Sequence, residues 1–294
     1  MKKIISIVLC VCMAVSVAFT LSENNSEIKA SSNIVKVPVL GVYNYKMASY
    51  ILKYTNKERT KRGLSKLRMN KSLTKAAMTR ACELSIYVSA NHIRPNGKDR
   101  ASLNRSIQWE NTLETSEPVW GNASKSLARK IVKSWMSSPH HREGILKRNF
   151  KSIGRGVFQG NGWTFASQEF SGYRFGKKCT SKKVTKEKSH NVLTQKKYLS
   201  KKYFKLITEV GGSFYEGHKM KLYVLHKNPY DKSITANVSP KKFKISSSNK
   251  KVAKVNKKGE IKAVKKGVTT IKLVCKGYSR LVLKKTIRVK KQDW

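Results

Sequence analysis

Ile153-Gly154-Arg155-Gly156-Val157-Phe158-Gln159-Gly160-Asn161-Gly162-Trp163-Thr164-Phe165-Ala166-Ser167-Gln168-Glu169-Phe170 is the stretch on which the fold turns. Residues 153–159 and 163–170 are strand-like runs, and Gly160-Asn161-Gly162 between them is a strong hairpin signal. Upstream the period is helical. Met47, Tyr50, Ile51 and Tyr54 recur at i, i+3, i+4 and i+7, one apolar stripe of a helix that opens near Tyr45 and stops at Gly63. A second helix fits 71–87, with Leu73, Ala76, Ala77, Ala81 and Leu84 on its inner face. A third fits 123–136, with Asn122 as candidate cap, Leu127, Ile131, Val132 and Trp135 inside, and Pro139 ending it. Residues 89–123 read as irregular and polar. Helices first and a late hairpin predict an α+β layer architecture.

Downstream, residues 174–202 are dense in Lys, Thr and Ser and read as a basic linker. Short strand-like runs follow at 204–210, 219–225, 234–238, 243–247, 252–255, 260–264, 268–275 and 281–289. Their spacing and turn punctuation predict a small all-β sandwich over 203–291.

The N-terminus reads as a secretory signal over 1–30. Lys2 and Lys3 form a positive end, residues 4–21 are apolar, small and polar residues follow, and Ala30 is one cleavage point. Residues 31–44 then form an extended leader. No second apolar run of spanning length appears, so no transmembrane span is expected once the signal is removed. The predicted location is secreted or extracellular, in association with the cell surface. The charge is extreme, 63 Lys+Arg against 16 Asp+Glu and a net +47. Residues 177–294 alone hold 34 bases and 6 acids. Such a chain attracts polyanions. Outside the cell these are anionic cell-wall polymers or host surface polyanions, and no nucleic-acid partner is expected. Cys82, Cys179 and Cys275 remain beyond the signal, an odd number without metal-site spacing, which excludes a disulfide scaffold.

The polar middle holds the candidate chemistry. Asn91-His92-Ile93-Arg94-Pro95-Asn96-Gly97 carries one imidazole. Trp109-Glu110-Asn111 sets a carboxylate beside an aromatic, and Pro139-His140-His141-Arg142 puts imidazoles just past a helix end. Two His and one Glu suit zinc or an acid/base pair, or else a polar cluster that only specifies structure. Neither GxSxG nor HExxH occurs, and no Cys lies near these His residues. Trp109, Trp120, Trp135 and Trp163 read as core or cleft wall, and His190, His218 and His226 as solvated.

Several ordered blocks over about 45–173 resemble the CAP superfamily, in particular its bacterial SCP-like branch. They are Asn56-Lys57-Glu58-Arg59, Gly63-Leu64, Arg80-Ala81, Glu83-Leu84, His92-Ile93-Arg94-Pro95-Asn96-Gly97, Glu110-Asn111, Trp135 through Arg142, Ile153 through Val157 and Gln168-Glu169-Phe170. The resemblance implies an α-β-α sandwich whose cleft gathers His92, Glu110 and His141. It also implies that His92 and His141 are candidate ligands of a divalent metal, commonly zinc, with no cofactor strictly required. The chain departs from the family pattern at Trp109 and His140, where Gly is usual, and at Gly144, where Asn is usual. A second cleft Glu after His92 is not apparent.

Ser246 to Asn249, Val252-Ala253-Lys254-Val255, Gly259-Glu260-Ile261 and Gly267 to Ile271 resemble a group 2 bacterial Ig-like domain, a spacer or adhesive module. Together these readings predict a non-enzymatic secreted binding protein. Its cleft takes a metal or a small apolar or lipid ligand, and its charge and Ig-like module hold it at anionic surfaces. The alternatives are a metal-assisted hydrolase or protease with Glu110 as general base, and a charge-driven cationic adhesin.

Overall fold

The computed structural model describes residues 33–89, 91–116, 122–174, 176–209 and 214–291. The signal segment 1–30 and Trp120 lie outside the described residues.

Helix α1 (Tyr45–Thr60) starts where the Asn44 side chain accepts the Met47 N–H at 2.8 Å. Its apolar stripe buries Met47, Ala48 and Ile51. Gly63, at φ +67°, reverses the chain after it. Helix α2 (Lys71–Leu84) starts in the same way, with Asn70 accepting the Leu73 N–H at 3.0 Å. It ends at Leu84, before Tyr87, where the Ser85 hydroxyl turns back to the Cys82 carbonyl at 2.6 Å. Helix α3 (Lys125–Ser137) is capped by Ser124 rather than Asn122; the Asn122 carbonyl instead accepts from Asn44 at 3.1 Å. Pro139 closes α3 as expected but also opens α4 (Pro139–Leu146), since proline's missing N–H costs nothing at a first helical position.

The expected hairpin is β4 (Ser152–Gly160) and β5 (Trp163–Ser171), turning at Asn161 and Gly162, both at positive φ. The polar middle, expected to be irregular throughout, contains a third strand, β3 (Trp109–Thr115), paired along β5. A two-residue β2 (Arg68–Met69) runs parallel to β4. The register places Gly154, Glu169 and Glu110 side by side across β4, β5 and β3. Strand alternation puts these three on one face and Arg155, Gln168 and Asn111 on the other. The first face carries α2. On the second, Ile153, Val157, Ala166 and Phe170 pack with Met47, Ile51, Ile131 and the fully buried Trp135 of α1 and α3. The result is an α-β-α sandwich.

The C-terminal region is all β. One sheet runs through β7 (Phe204–Thr208), β9 (Lys219–Lys227), β10 (Thr235–Val238), β12 (Ala253–Val255) and β13 (Glu260–Ala263). The other has the order β11 (Phe243–Ser247), β14 (Gly267–Cys275), β15 (Val282–Lys290), β8 (Phe214–Tyr215). Leu222, Val224 and Ile261 from the first meet Ile271, Leu273 and Leu283 from the second in a shared core.

Two expectations change at the join. The leader is strand β1 (Ile34–Tyr43), and the linker contains β6 (Lys188–Gln195), which pairs with β1 from Ile34↔Gln195 to Gly41↔Lys188. β1 also pairs with β4 at Val42↔Gln159 and with β10 at Val39↔Val238, so one sheet passes from the sandwich into the β region. Val35, Val37 and Val39 alternate inward from β1, and Val192 does so from β6 within a Lys-rich stretch. Among the described residues, no helix is long and apolar enough to cross a membrane. Cys82, Cys179 and Cys275 are free and buried.

Two of the histidines read as solvated are buried. His190 lies against Tyr43 with ring centroids 4.2 Å apart, and His226 is fully buried against Phe204 at 5.0 Å. Burial pushes the His226 ring down to about 4, against the raising effect of the Tyr198 carbonyl 3.1 Å from Nε2. An unfolded His titrates near 6.5. The unfolded chain therefore binds the extra proton between those values, and stability falls as pH drops from about 6.5 to about 4, by up to about 3 kcal/mol. Urea midpoints over this range should show a slope that His226→Leu flattens; equal slopes in both proteins would exclude His226 as the source.

Candidate functional site

The site grows from α2. Arg80 and Glu83, three residues apart, share its buried face over the sheet. Both are essentially without solvent exposure, so each needs a partner. Glu83 receives the guanidinium of Arg94, with Nη2 at 2.6 Å and Nε at 3.0 Å. Burial raises the Glu83 carboxyl and the Arg94 fork pulls it back. Arg94 Nη1 also donates to Ser102 at 2.8 Å. This anchor holds the 92–98 loop, which is closed by Arg94 N–H to the Lys98 carbonyl and Gly97 N–H to the Arg94 carbonyl. The loop presents His92 in the left-handed region at φ +57°, a strained place for a residue with a Cβ.

Arg80 reaches across to β3, where its Nε donates to Glu110 Oε2 at 2.9 Å. His92 Nδ1 lies 2.6 Å from Glu110 Oε1. Since a carboxylate oxygen accepts, Nδ1 donates this bond, and the His92 side chain stays partly exposed, at 16%. Burial opposes the charge on Glu110, but Arg80 and His92 outweigh it and hold the carboxyl below its ordinary value.

Glu169 stands directly opposite Glu110 on β5 and is fully buried. Like charges cannot face each other there, so one carboxyl keeps its proton. Burial and the Glu110 carboxylate push Glu169 well up, while Ser167 donates to its Oε1 at 2.7 Å. Glu169 is thus a second acidic group, buried beside Glu110. Pairing of β3 on β5 brings it there from the far end of the hairpin.

His141 comes from α4. Arg59 of α1 ends that helix by donating to the Ile145 carbonyl at 2.7 Å and the Lys147 carbonyl at 3.0 Å. Asn111 Nδ2 donates to the His141 carbonyl at 3.0 Å, tying α4 to β3. His140 bridges the imidazoles, with ring centroids 6.3 Å from His92 and 5.9 Å from His141. The His141 ring is half-buried, and burial, then His140 and His92, lower its affinity for a proton. His92 and Glu110 are thus in direct contact, while His141 joins them through its backbone and through His140.

Three departures from the CAP pattern are in contact. The Trp109 indole lies 4.7 Å from the His140 ring, and a Cβ on Gly144 would sit 2.3 Å from Trp109 Nε1. Trp109 therefore requires Gly at 144, and its Nε1 donates to Asn111 at 3.1 Å. The three substitutions form one aromatic wall beside His92.

Both Glu110 oxygens are engaged, so the ring nitrogens that remain in this cluster are His92 Nε2 and those of His140 and His141. Among the described residues, no group of three or more His, Cys, Asp or Glu side chains is arranged to hold a metal ion. Ser167 is buried under Glu169, and burial raises the Cys82 thiol, so neither presents a nucleophile.

Residues 52–171 match the model of the cysteine-rich secretory protein family, CAP, and residues 231–283 that of the bacterial Ig-like domain, group 2. The uncharacterized protein YkwD of Bacillus subtilis (strain 168) is 30% identical over 123 residues, 42% of this chain and 46% of that protein. The chain thus matches under half the length of this curated relative. An extracellular protein containing a SCP domain from Bacillus anthracis str. Ames is 20% identical, covers 42% of this chain and 39% of its own, and has a TM-score of 0.34. An outer surface protein from Borrelia burgdorferi is 16% identical over 42% of this chain and 91% of its own, at TM-score 0.33. A cysteine-rich secretory protein from Staphylococcus aureus subsp. aureus Mu50 is 18% identical over 44% and 40%, also at 0.33.

Proposed function

We propose, from the premise that this chain carries a CAP domain followed by a group 2 bacterial Ig-like domain, that it is a secreted, non-enzymatic binding protein. One observation carries the non-enzymatic part. Glu110 is the base that hydrolysis would use, and both its oxygens are taken by Arg80 and His92 while its affinity for a proton is lowered. A general base works best with its pKa near the working pH. The cleft is built to hold a fixed charge pattern beside the Trp109 wall. Its ligand is a small molecule lying against His92, His141 and Trp109, or a zinc ion held weakly by the two imidazoles with water completing the shell.

The basic surface supplies attachment to anionic envelope polymers. Lys250, Lys251, Lys254, Lys265 and Lys266 surround a hollow of about 810 Å³ on the Ig-like domain, with Glu216 the acid at its edge. The same charge supports the second reading, a cationic adhesin in which the cleft plays no part.

Native mass spectrometry of the protein from its own culture medium, with and without added zinc, beside the His92→Ala/His141→Ala double variant, tests the cleft. A bound mass that only the wild type retains is the expected result, and its value separates zinc from an organic ligand. Bare chains in both samples would overturn the cleft reading. Co-sedimentation with poly(glycerol phosphate) tests attachment; it should be equal in the two proteins and fall steeply with salt.

A further inference from the structure

A cavity of about 890 Å³ lies away from the His92 cleft, between α2 and the segment 177–185. That segment is an arch held at both ends. The Lys71 N–H donates to the Lys177 carbonyl at 2.9 Å and the Cys179 N–H to the Met69 carbonyl at 3.3 Å. At the other end, the Tyr45 N–H donates to the Lys183 carbonyl at 3.0 Å and the Thr185 N–H to the Tyr43 carbonyl at 2.9 Å. Bridges Asn70↔Lys178 and Asn44↔Val184 repeat the attachment. The cavity is therefore built by backbone bonds, as ligand pockets on rigid scaffolds are.

Its lining is divided by chemistry. Tyr43, Tyr45, Met78 and Cys179 supply ring, thioether and thiol surface. Thr74, buried in the α2 wall, has an Oγ1 with no hydrogen-bond partner. Lys71, Lys75, Lys177, Lys183 and Lys188 also line it, all exposed, and no Asp or Glu does among the described residues. An apolar interior inside a ring of uncompensated cations excludes a cationic or purely polar occupant. It matches a molecule with one negative head and one flexible apolar tail.

We propose that this cavity binds a single-chain anionic amphiphile, tail beneath the arch and carboxylate or phosphate head among the five lysines. The site is separate from the His92 cleft and does not depend on what that cleft holds.

The full chain is titrated with laurate below its critical micelle concentration, followed by native mass spectrometry and by displacement of a fluorescent fatty acid. One laurate per chain is expected. Dodecyltrimethylammonium, with the same tail and the opposite head, and acetate, with the head and no tail, should each fail to bind. Dodecyl phosphate against laurate then assigns the head group. Lys75→Glu/Lys183→Glu, two exposed reversals on opposite walls, should weaken laurate by about tenfold or more, whereas His92→Ala/His141→Ala should bind it as the wild type does. Equal binding of the cationic and anionic amphiphiles, or unchanged laurate affinity in the reversal variant, would overturn the proposal. So would laurate binding that disappears in the His92→Ala/His141→Ala variant, since the ligand would then sit in the cleft.

Discussion

Glu110→Gln should lower the unfolding free energy by about 3 kcal/mol, the low end of the roughly 3–5 kcal/mol that removing one member of a buried ion pair costs. Arg80 and Glu110 have no exposed side-chain surface. Arg80 Nη1 and Nη2 already lack hydrogen-bond partners, and Glu83 stands 3.9 Å from Nη1, so Glu110 carries most of the compensation. The loss is held to the low end by Glu169. Relieved of the facing Glu110 charge, its carboxyl falls back toward ionisation and takes up part of the Arg80 charge. Glu169→Gln alone should therefore be mild, because Gln resembles the protonated acid already present. Its sign follows from the raised carboxyl: the unfolded Glu ionises near 4.3 while the folded one does not, so wild type loses stability against Glu169→Gln as pH rises above that value. With both replaced, Arg80 has neither acid, and the double variant should exceed the sum of the singles by about 1 kcal/mol or more. Urea unfolding of the four proteins at pH 7 measures this. Strict additivity would mean that the two carboxyls do not share the Arg80 charge.

The same pair shows what the sequence could and could not reveal. His92, Glu110 and His141 were legible because each sits in a short block of distinctive residues, and the fold of the first half followed from helical stripes and one Gly-Asn-Gly turn. Glu169 carries no such signal in its own block, since its role depends on which residue faces it across two strands. Arg80 likewise reads as one more base on a helix until α2 is laid over the sheet. The pairing of the leader with the linker is hidden for another reason. β1 follows the signal segment 1–30 and carries a single Lys, while β6 buries His190, Val192 and Thr194 within a stretch whose average composition reports its many Lys. Their pairing also spans from residue 34 to residue 195, a separation that no local pattern encodes. His190 and His226 read as solvated in the sequence, whereas both side chains are buried. Trp109, His140 and Gly144 were each visible as departures. Only their contact shows that they are one change, an indole accommodated by the loss of a side chain.

The glycines of Ile153-Gly154-Arg155-Gly156-Val157 carry a further signal, since glycine inside a strand marks a place where another backbone comes close. Gly156→Ala should destabilise the protein by about 3 kcal/mol or more, the upper end of the range for an overpacked core. A Cβ at Gly156 would stand 1.9 Å from the Ala77 carbonyl oxygen and 2.3 Å from its carbon. These are backbone atoms in the middle of α2, so no rotamer change relieves the contact and the helix itself must lift from β4. Gly154 meets Leu73 one turn earlier in the same way, at 2.1 Å, which stops α2 from tilting to make room. The lift would carry Arg80 and Glu83 away from Glu110 and Arg94, so the site loosens with the core. Gly63→Ala is the contrast. It also replaces a glycine, at φ +67° but with nothing within 4 Å, and should cost only about 1 kcal/mol of backbone strain. At about 2–4 °C of Tm per kcal/mol for a domain of this size, the two variants should melt several degrees apart, Gly156→Ala the lower. If Gly156→Ala melted at or above Gly63→Ala, α2 would not be seated on the glycine face of β4, and the placement of Arg80 over Glu110 would lose its support.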